Sequence, residues 1–158
     1  MKQFQLSLSD LEGKWYILLS NFPMWLKGDK TSPSLNYRLE IRSGVHGLRD
    51  EVIAWKNGKQ SSIIGFDTPL DGTNHAFEWR GKGLFSVLTS RWEIVHLNAE
   101  EEWAIIHFEK TLFTPEGYDV IARSNILSQE LLAGIRSALR ELGITAELQP
   151  IVQETKTH

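Results

Sequence analysis

Hydrophobic and polar residues alternate along much of this chain in short runs. The clearest run lies between Ser34 and Ser43, with apolar residues at every second position: Leu35, Tyr37, Leu39 and Ile41. A period of two is typical of a strand that buries one face. Comparable runs separated by turn residues predict eight strands: Lys14–Ser20, Ser34–Ser43, Leu48–Lys56, Lys59–Asp67, His75–Arg80, Arg91–Leu97, Trp103–Lys110 and Tyr118–Arg123.

The connections between these runs are short and rich in turn residues. Asn57 and Gly58 form the strongest hairpin signal, because both residues tolerate positive φ. Residues 81–90 stay ambiguous between strand ends and loop. Evenly spaced strands with short connections predict an all-β protein, an eight-stranded antiparallel up-and-down β-barrel. The interior of such a barrel is either filled by side chains or holds one small ligand.

The pattern changes to a helical period near the C-terminus. One stripe of a helix between Ser128 and Leu142 collects five apolar residues: Leu131, Leu132, Ile135, Leu139 and Leu142. Ser128 is a suitable N-cap, and Gly143 is a suitable left-handed stop. We expect this α-helix to pack on the barrel exterior, with a polar, frayed tail over residues 150–158. The chain is expected to form one domain, residues 1–158, with the barrel over residues 11–124.

The connection over residues 21–33 differs from the other turns. It is long, and it carries the apolar residues Phe22, Met24, Trp25 and Leu26, which water does not favour. Loops of this length are usually functional or mobile. We interpret it as a flap that folds over something apolar.

Composition narrows the classes of function. The 158 residues are 41% hydrophobic and 23% charged, with a net charge of −3, which is typical of a globular protein. No run of like charges indicates a surface for nucleic acid or an anionic membrane. Cysteine is absent, so disulfides and thiolate chemistry are excluded. The N-terminal residues lack a signal-peptide core, and no apolar run reaches about 18 residues. We therefore expect a cytoplasmic protein without an integral membrane segment.

Gly13 and Trp15 open the first strand, and Arg123 ends the last strand before the helix. This arrangement resembles the lipocalin family, in which the Arg packs across the Trp at the closed end of the barrel. A cation–π contact and guanidinium donors explain such a pairing. Residues 120–130 look like bacterial and apolipoprotein-D-like members, and residues 103–143 resemble the lipocalin domain of plant violaxanthin de-epoxidases. The resemblance implies a lipocalin-like calyx in which Gly13, Trp15 and Arg123 are structural residues.

The resemblance also implies a function. Lipocalin-like calyces are expected to bind a small, mainly hydrophobic molecule, here a lipid, a fatty acid or an isoprenoid-like compound, and no cofactor is expected. The mouth is then rimmed by residues 21–33, the Asn57-Gly58 turn, residues 81–89 and residues 111–117. We expect a monomer or a homodimer whose partner is this ligand and not nucleic acid.

Strand parity predicts which residues line the cavity. The residues expected to contact a ligand are Trp25, Tyr37, Leu39, Ile53, Trp55, Ile64, Phe66, Phe77, Trp79, Trp92, Ile105, His107 and Tyr118. The sixth and seventh strands carry apolar residues on both faces, so the inner face there stays open. An error of one residue in register reverses inside and outside. The alternative is a filled barrel without a cavity.

Two further functions stay open. His107 and Glu109 lie two residues apart on one strand and share a face, so with Glu78 they are candidate catalytic residues of an enzyme acting on an isoprenoid or lipid-like substrate. An aromatic mouth also suits a protein–protein interaction module. His75, His96 and His107 lie on three different strands, and no ligand spacing typical of a metal site occurs, so no metal is expected.

Overall fold

The computed structural model describes residues 6–154, whose strands form a closed antiparallel barrel. The strands are β1 (Gly13–Ser20), β2 (Thr31–Arg42), β3 (Val45–Lys56), β4 (Lys59–Pro69), β5 (Ala76–Gly81), β6 (Thr89–Asn98), β7 (Trp103–Phe108), β8 (Gly117–Ala122) and β9 (Gln149–Pro150). Strands β2 to β8 and then β1 are neighbours around the sheet, and β1 also pairs with β2, which closes the barrel. The helices are α1 (Pro23–Leu26) and α2 (Gln129–Glu141). The predicted eight-stranded up-and-down barrel with a C-terminal helix is confirmed.

α2 packs on the outside of the barrel. Ser128 is its N-cap, because the Ser128 hydroxyl accepts a hydrogen bond from the Leu131 N–H at 3.1 Å. Ile135 and Ala138 are buried in a cluster with outward residues of β7 and β8. Gly143 follows the helix with a φ of +69°, the left-handed conformation that favours glycine. Within residues 6–154, no helix is long and apolar enough to cross a bilayer.

The segment after α2 packs against the barrel, whereas a frayed tail was expected over residues 150–158. β9 pairs with the end of β1. Ile151 is buried with the barrel core, and the Gln153 side-chain amide donates to the Ile17 carbonyl at 2.8 Å. The expectation was therefore wrong for residues 150–154, because one apolar and one amide side chain anchor them. Residues 155–158 lie outside the described part of the chain.

The closed end of the barrel is held by one arginine. The Arg123 guanidinium carbon lies 3.8 Å from the centroid of the Trp15 ring. The same guanidinium donates to three backbone carbonyls of residues 10–14 at 2.9 to 3.1 Å. The Trp15 indole donates to the Leu11 carbonyl at 2.9 Å, and Gly13 has a φ of +107°. Arg123 thus links the last strand to the start of the first.

Strands β3 and β4 face the interior with the parity opposite to the one expected. Tyr37 pairs with Asp50 and Asp50 pairs with Gly65, so these residues share the inner face. The alternate residues point outward, and the predicted ligand contacts were wrong for four of them: Ile53, Trp55, Ile64 and Phe66. The physical reason is that the inner face carries Asp50 and Asp67, which a hydrophobic pattern assigns to water.

Strands β7 and β8 are buried on both faces. Ala104, Ile106 and Ile121 belong to the barrel core, whereas the alternate residues lie in the cluster under α2. Three predicted cavity residues therefore face outward, and those predictions were wrong: Ile105, His107 and Tyr118. A strand covered on both sides is apolar at nearly every position, so its period cannot identify the inner face.

Candidate functional site in the barrel interior

A stack of three aromatic rings crosses the interior of the barrel. Phe77 of β5 stacks on Trp92 of β6 with ring centroids 4.6 Å apart, and Trp92 stacks on Tyr37 of β2 at 5.8 Å. β2 and β6 are four strands apart in a barrel of eight, so this aromatic stack spans it from side to side. All three residues are buried, and they fill the centre of the barrel.

The mouth is closed by residues 21–30, the mouth segment, which contains α1. Phe22 and Trp25 are 6% and 7% exposed and belong to the core cluster of the interior. The Phe22 ring meets Phe108 edge to face, with ring centroids 5.4 Å apart. A Cβ atom at Gly117 would lie 2.5 Å from the Phe22 ring, so the ring needs a glycine there. The flap predicted over this stretch thus inserts its own aromatic side chains into the barrel.

Two aspartates of the β3–β4 hairpin form a buried carboxyl pair. Asp50 and Asp67 are diagonal neighbours on the inner face of β3 and β4, and the Trp92 indole N–H donates to Asp67 Oδ1 at 3.0 Å. Asp50 Oδ1 and Asp67 Oδ2 have no hydrogen-bond partner among the described residues.

Burial shifts both carboxyls of the pair toward the protonated form. Burial raises the pKa of Asp50 to about 6. Burial, and after it the neighbouring charge of Asp50, raises the pKa of Asp67 well above its usual range. Two touching carboxylates repel each other too strongly to ionise together, so they titrate as one unit.

A third buried carboxyl lies on the opposite wall of the barrel. Asp119 lies on β8, four strands away from β4, and it is fully buried. Burial raises the pKa of Asp119 to about 7, and a hydrogen bond with the Ser20 side chain only partly offsets this. Asp119 Oδ1 has no hydrogen-bond partner within residues 6–154. Leaving a buried acceptor unpaired costs roughly 1–3 kcal/mol.

The Tyr37 hydroxyl belongs to the same acidic environment. Burial raises the pKa of Tyr37 well above its usual range, and the charges of Asp50, Asp67 and Asp119 raise it further. No lysine, arginine or histidine of the described chain forms an ion pair with any of the three carboxyls. These carboxyls therefore lie among aromatic rings, without an ion-pair partner among the described residues.

The structure places only some of the predicted cavity residues inside. Those in the core cluster or packed against it are Trp25, Tyr37, Phe77, Trp79 and Trp92. Leu39 has the parity of Tyr37 but is 45% exposed, because β1 pairs only with residues 34–37 of β2. The prediction of Leu39 as a cavity residue was therefore wrong. Contact of the inward residues with a ligand stays a prediction.

The candidate catalytic residues lie on the outside of the barrel. His107 contacts Glu93 through Nδ1 at 3.5 Å and Glu116 through Nε2 at 3.3 Å. Glu109 is exposed, and Glu78 pairs with Arg91 at 3.4 Å. The prediction of an inward acid–base group was wrong, since β7 turns its other face to the interior.

Sequence reasoning missed all three aspartates of the site. Asp119 gave a usable signal, because it interrupts a strand that is apolar on the same face at Ile121. Asp50 stands between Arg49 and Glu51 and so resembles a solvated stretch. Asp67 comes just before a turn, where aspartate is common.

Two surface depressions lie away from these carboxyls. One, of about 420 Å³, is lined by Leu39, Ile41 and His46 among others. The other, of about 410 Å³, lies between the mouth segment at Trp25 and the β9 region at Ile151. Among the described residues, no group of three or more His, Cys, Asp or Glu has an arrangement that could hold a metal ion.

No protein-family model and no curated protein sequence matches the chain. Solved structures do match it. Lobster apocrustacyanin A1 is 15% identical, with a TM-score of 0.65 over 93% of this chain and 79% of that one. The cockroach allergen Per a 4 is 13% identical, with a TM-score of 0.68 over 98% and 92% of the two chains.

Insecticyanin from the tobacco hornworm Manduca sexta is 9% identical, with a TM-score of 0.70 over 97% of this chain and 84% of that one. The structural neighbours include lipocalins, and the likeness extends over nearly the whole chain. At these identities the comparison shows the fold alone, which is the lipocalin-type barrel.

Proposed function

We propose that this protein binds a small, mainly hydrophobic molecule inside the barrel, beneath the mouth segment. The observation that carries the proposal is the aromatic stack of Phe77, Trp92 and Tyr37. The mouth segment, and not the strands of the barrel, separates this stack from solvent at the mouth. An eight-stranded barrel has an interior of a size that suits one small ligand. Burial of apolar surface then supplies affinity at roughly 25 cal/mol per Å².

Binding requires the mouth segment to move, because its aromatic rings occupy the way in. α1 has one helical turn, which is too short to be stable without packing. Phe22 and Trp25 supply that packing, and an exposed ion pair of 3.3 Å between Lys56 and Asp29 links the segment to the β3–β4 hairpin. We expect the guest to displace the rings of Phe22 and Trp25 and to occupy their place over the aromatic stack.

The test is a fluorescence titration with the neutral apolar dye Nile red. We expect saturable binding of one dye per chain. Phe22→Ala should tighten the apparent affinity by about tenfold, because a weaker closed state raises the fraction of binding-competent protein. Phe113→Ala is the matched control: Phe113 lies in the β7–β8 loop and is 75% exposed. Its removal should change the affinity by less than about twofold.

Exposed apolar side chains near the mouth make this control necessary. Leu84, Val87 and Leu112 are mostly exposed and attract apolar dyes without any cavity. An equal effect of both substitutions would place the dye on this surface and contradict the proposal. Absence of saturable binding would also contradict the proposal and would indicate that the barrel interior is a filled core.

An enzymatic function is not proposed, since the candidate acid–base residues His107, Glu109 and Glu78 lie outside the barrel. A closer kinship with bacterial lipocalins or with violaxanthin de-epoxidases, a cytoplasmic location and a monomeric or homodimeric state all stay predictions from the sequence. A lipid, a fatty acid or an isoprenoid-like compound as the particular guest also stays a prediction from the sequence.

A further inference from the structure

We infer that the guest carries a basic nitrogen, and that its ammonium group pairs with a buried carboxyl of the barrel interior, at Asp119 or at the Asp50–Asp67 pair. The ligand class is an organic amine with an apolar body. This inference rests on the proposed function, because it names the chemistry of a guest in the same interior.

Three buried carboxyl oxygens of the interior have no hydrogen-bond partner among the described residues: Asp119 Oδ1, Asp50 Oδ1 and Asp67 Oδ2. All three side chains are buried on the inner face of the barrel. An alkylammonium group has three N–H donors and no acceptor, so it can satisfy such acceptors.

The buried carboxyls lack a countercharge. The pKa values of about 6 for Asp50 and about 7 for Asp119 mean that both groups are partly ionised at neutral pH. A buried carboxylate without a partner is strongly unfavourable. No basic side chain of the described residues forms an ion pair with these carboxyls, so a cationic guest balances a charge that the protein leaves open.

An aromatic surface lies beside the Asp67 carboxyl. The Trp92 indole donates to Asp67, and the ring stacks on Tyr37. Faces of tryptophan and tyrosine rings attract organic cations. Carboxylates together with aromatic faces recognise a weakly hydrated ammonium attached to an apolar body, whereas fatty acids would be repelled.

The experiment compares three probes of one shape: phenylbutylamine, phenylbutanol and phenylbutanoate, titrated by calorimetry near neutral pH. We expect the amine to bind at least about tenfold tighter than the alcohol, and the carboxylate to bind weakest. Asp119→Asn or Asp50→Asn should remove most of the preference for the amine over the alcohol. Glu100→Gln removes an exposed carboxylate in the turn before β7 and should keep the preference.

A pH series on the unaltered protein gives a second readout that does not depend on how the variants fold. Between about pH 5 and pH 8 the amine stays charged while the buried carboxyls ionise, so its affinity should rise. The affinity of the alcohol should stay level. The buried acidic groups of the interior are Asp50, Asp67, Asp119 and Tyr37, and the tyrosine stays protonated throughout.

Equal binding of amine and alcohol, or a preference that survives in both Asn variants, would overturn the inference and leave the proposed function intact. Binding of Mg²⁺, Ca²⁺ or Zn²⁺ in place of the amine would overturn it in favour of a metal site. Failure of all three probes to bind would overturn the inference together with the proposed function.

Discussion

Asp119 is a carboxyl group on a strand whose next inward residue is Ile121. Its burial has a thermodynamic consequence for the protein without a guest. The folded protein holds the Asp119 proton up to about pH 7, whereas the unfolded chain loses it near the ordinary value of 3.8. The free energy of unfolding therefore falls as the pH rises between these values. Asp50 and Asp67 act in the same direction, since burial raises both of their pKa values.

The protein should consequently be more stable at about pH 5 than at about pH 8. Asp119→Asn should flatten this dependence and raise the free energy of unfolding at pH 8, by an amount on the order of a few kcal/mol. Urea unfolding at several pH values measures this free energy. Glu100→Gln is the control, and it should keep the pH dependence of the unaltered protein. An unchanged slope in Asp119→Asn would mean that this carboxyl is already ionised in the folded protein.

The elements differ in how far the sequence alone predicts them. The strands follow from alternation, and α2 follows from its apolar stripe and the Ser128 cap. The inner faces of β3 and β4 could not be predicted, because buried carboxyls at Asp50 and Asp67 break the rule that charged side chains face water. The inner face of β7 could not be predicted for a different reason: α2 buries the outer face of β7, so both faces of the strand are apolar. Sequence pattern thus yields the barrel, whereas the candidate site depends on exceptions to that pattern.

The mouth segment is the element whose packing is most easily tested. Gly117→Ala adds a Cβ atom 2.5 Å from the Phe22 ring, so the ring must shift out of the barrel. We expect a loss of about 1–3 kcal/mol in the free energy of unfolding and faster hydrogen exchange at Trp25 and Leu26, whose amides bond to the Phe22 carbonyl.

Gly134→Ala is the matched control on α2. Gly134 is exposed, and nothing lies within 4 Å of an added Cβ atom. This substitution should stabilise the protein by up to about 1 kcal/mol through helix propensity. Equal hydrogen-exchange rates at the mouth segment in Gly117→Ala and in the unaltered protein would contradict this prediction. They would show that the position of the Phe22 ring does not require a glycine at residue 117.

At the scale of the whole molecule, the two ends of the barrel are built differently. The closed end is fixed by Arg123, which joins Trp15 and three carbonyls. The mouth end is closed by two aromatic rings from a loop, above an interior with unpaired acceptors. The first end could be predicted from the residues that resemble lipocalins. The second could not, because it depends on which side chains meet across strands that are distant in sequence.

The most direct test of binding inside the barrel is the indole region of a nitrogen–proton correlation spectrum. The Trp92 indole N–H donates to Asp67 in the interior, whereas Trp103 is buried under α2 on the outside. On addition of phenylbutylamine, we predict that the Trp92 indole signal shifts and the Trp103 signal does not, with Trp92→Phe and Trp103→Phe assigning the two. A saturating amine that leaves the Trp92 signal in place would contradict binding in the barrel.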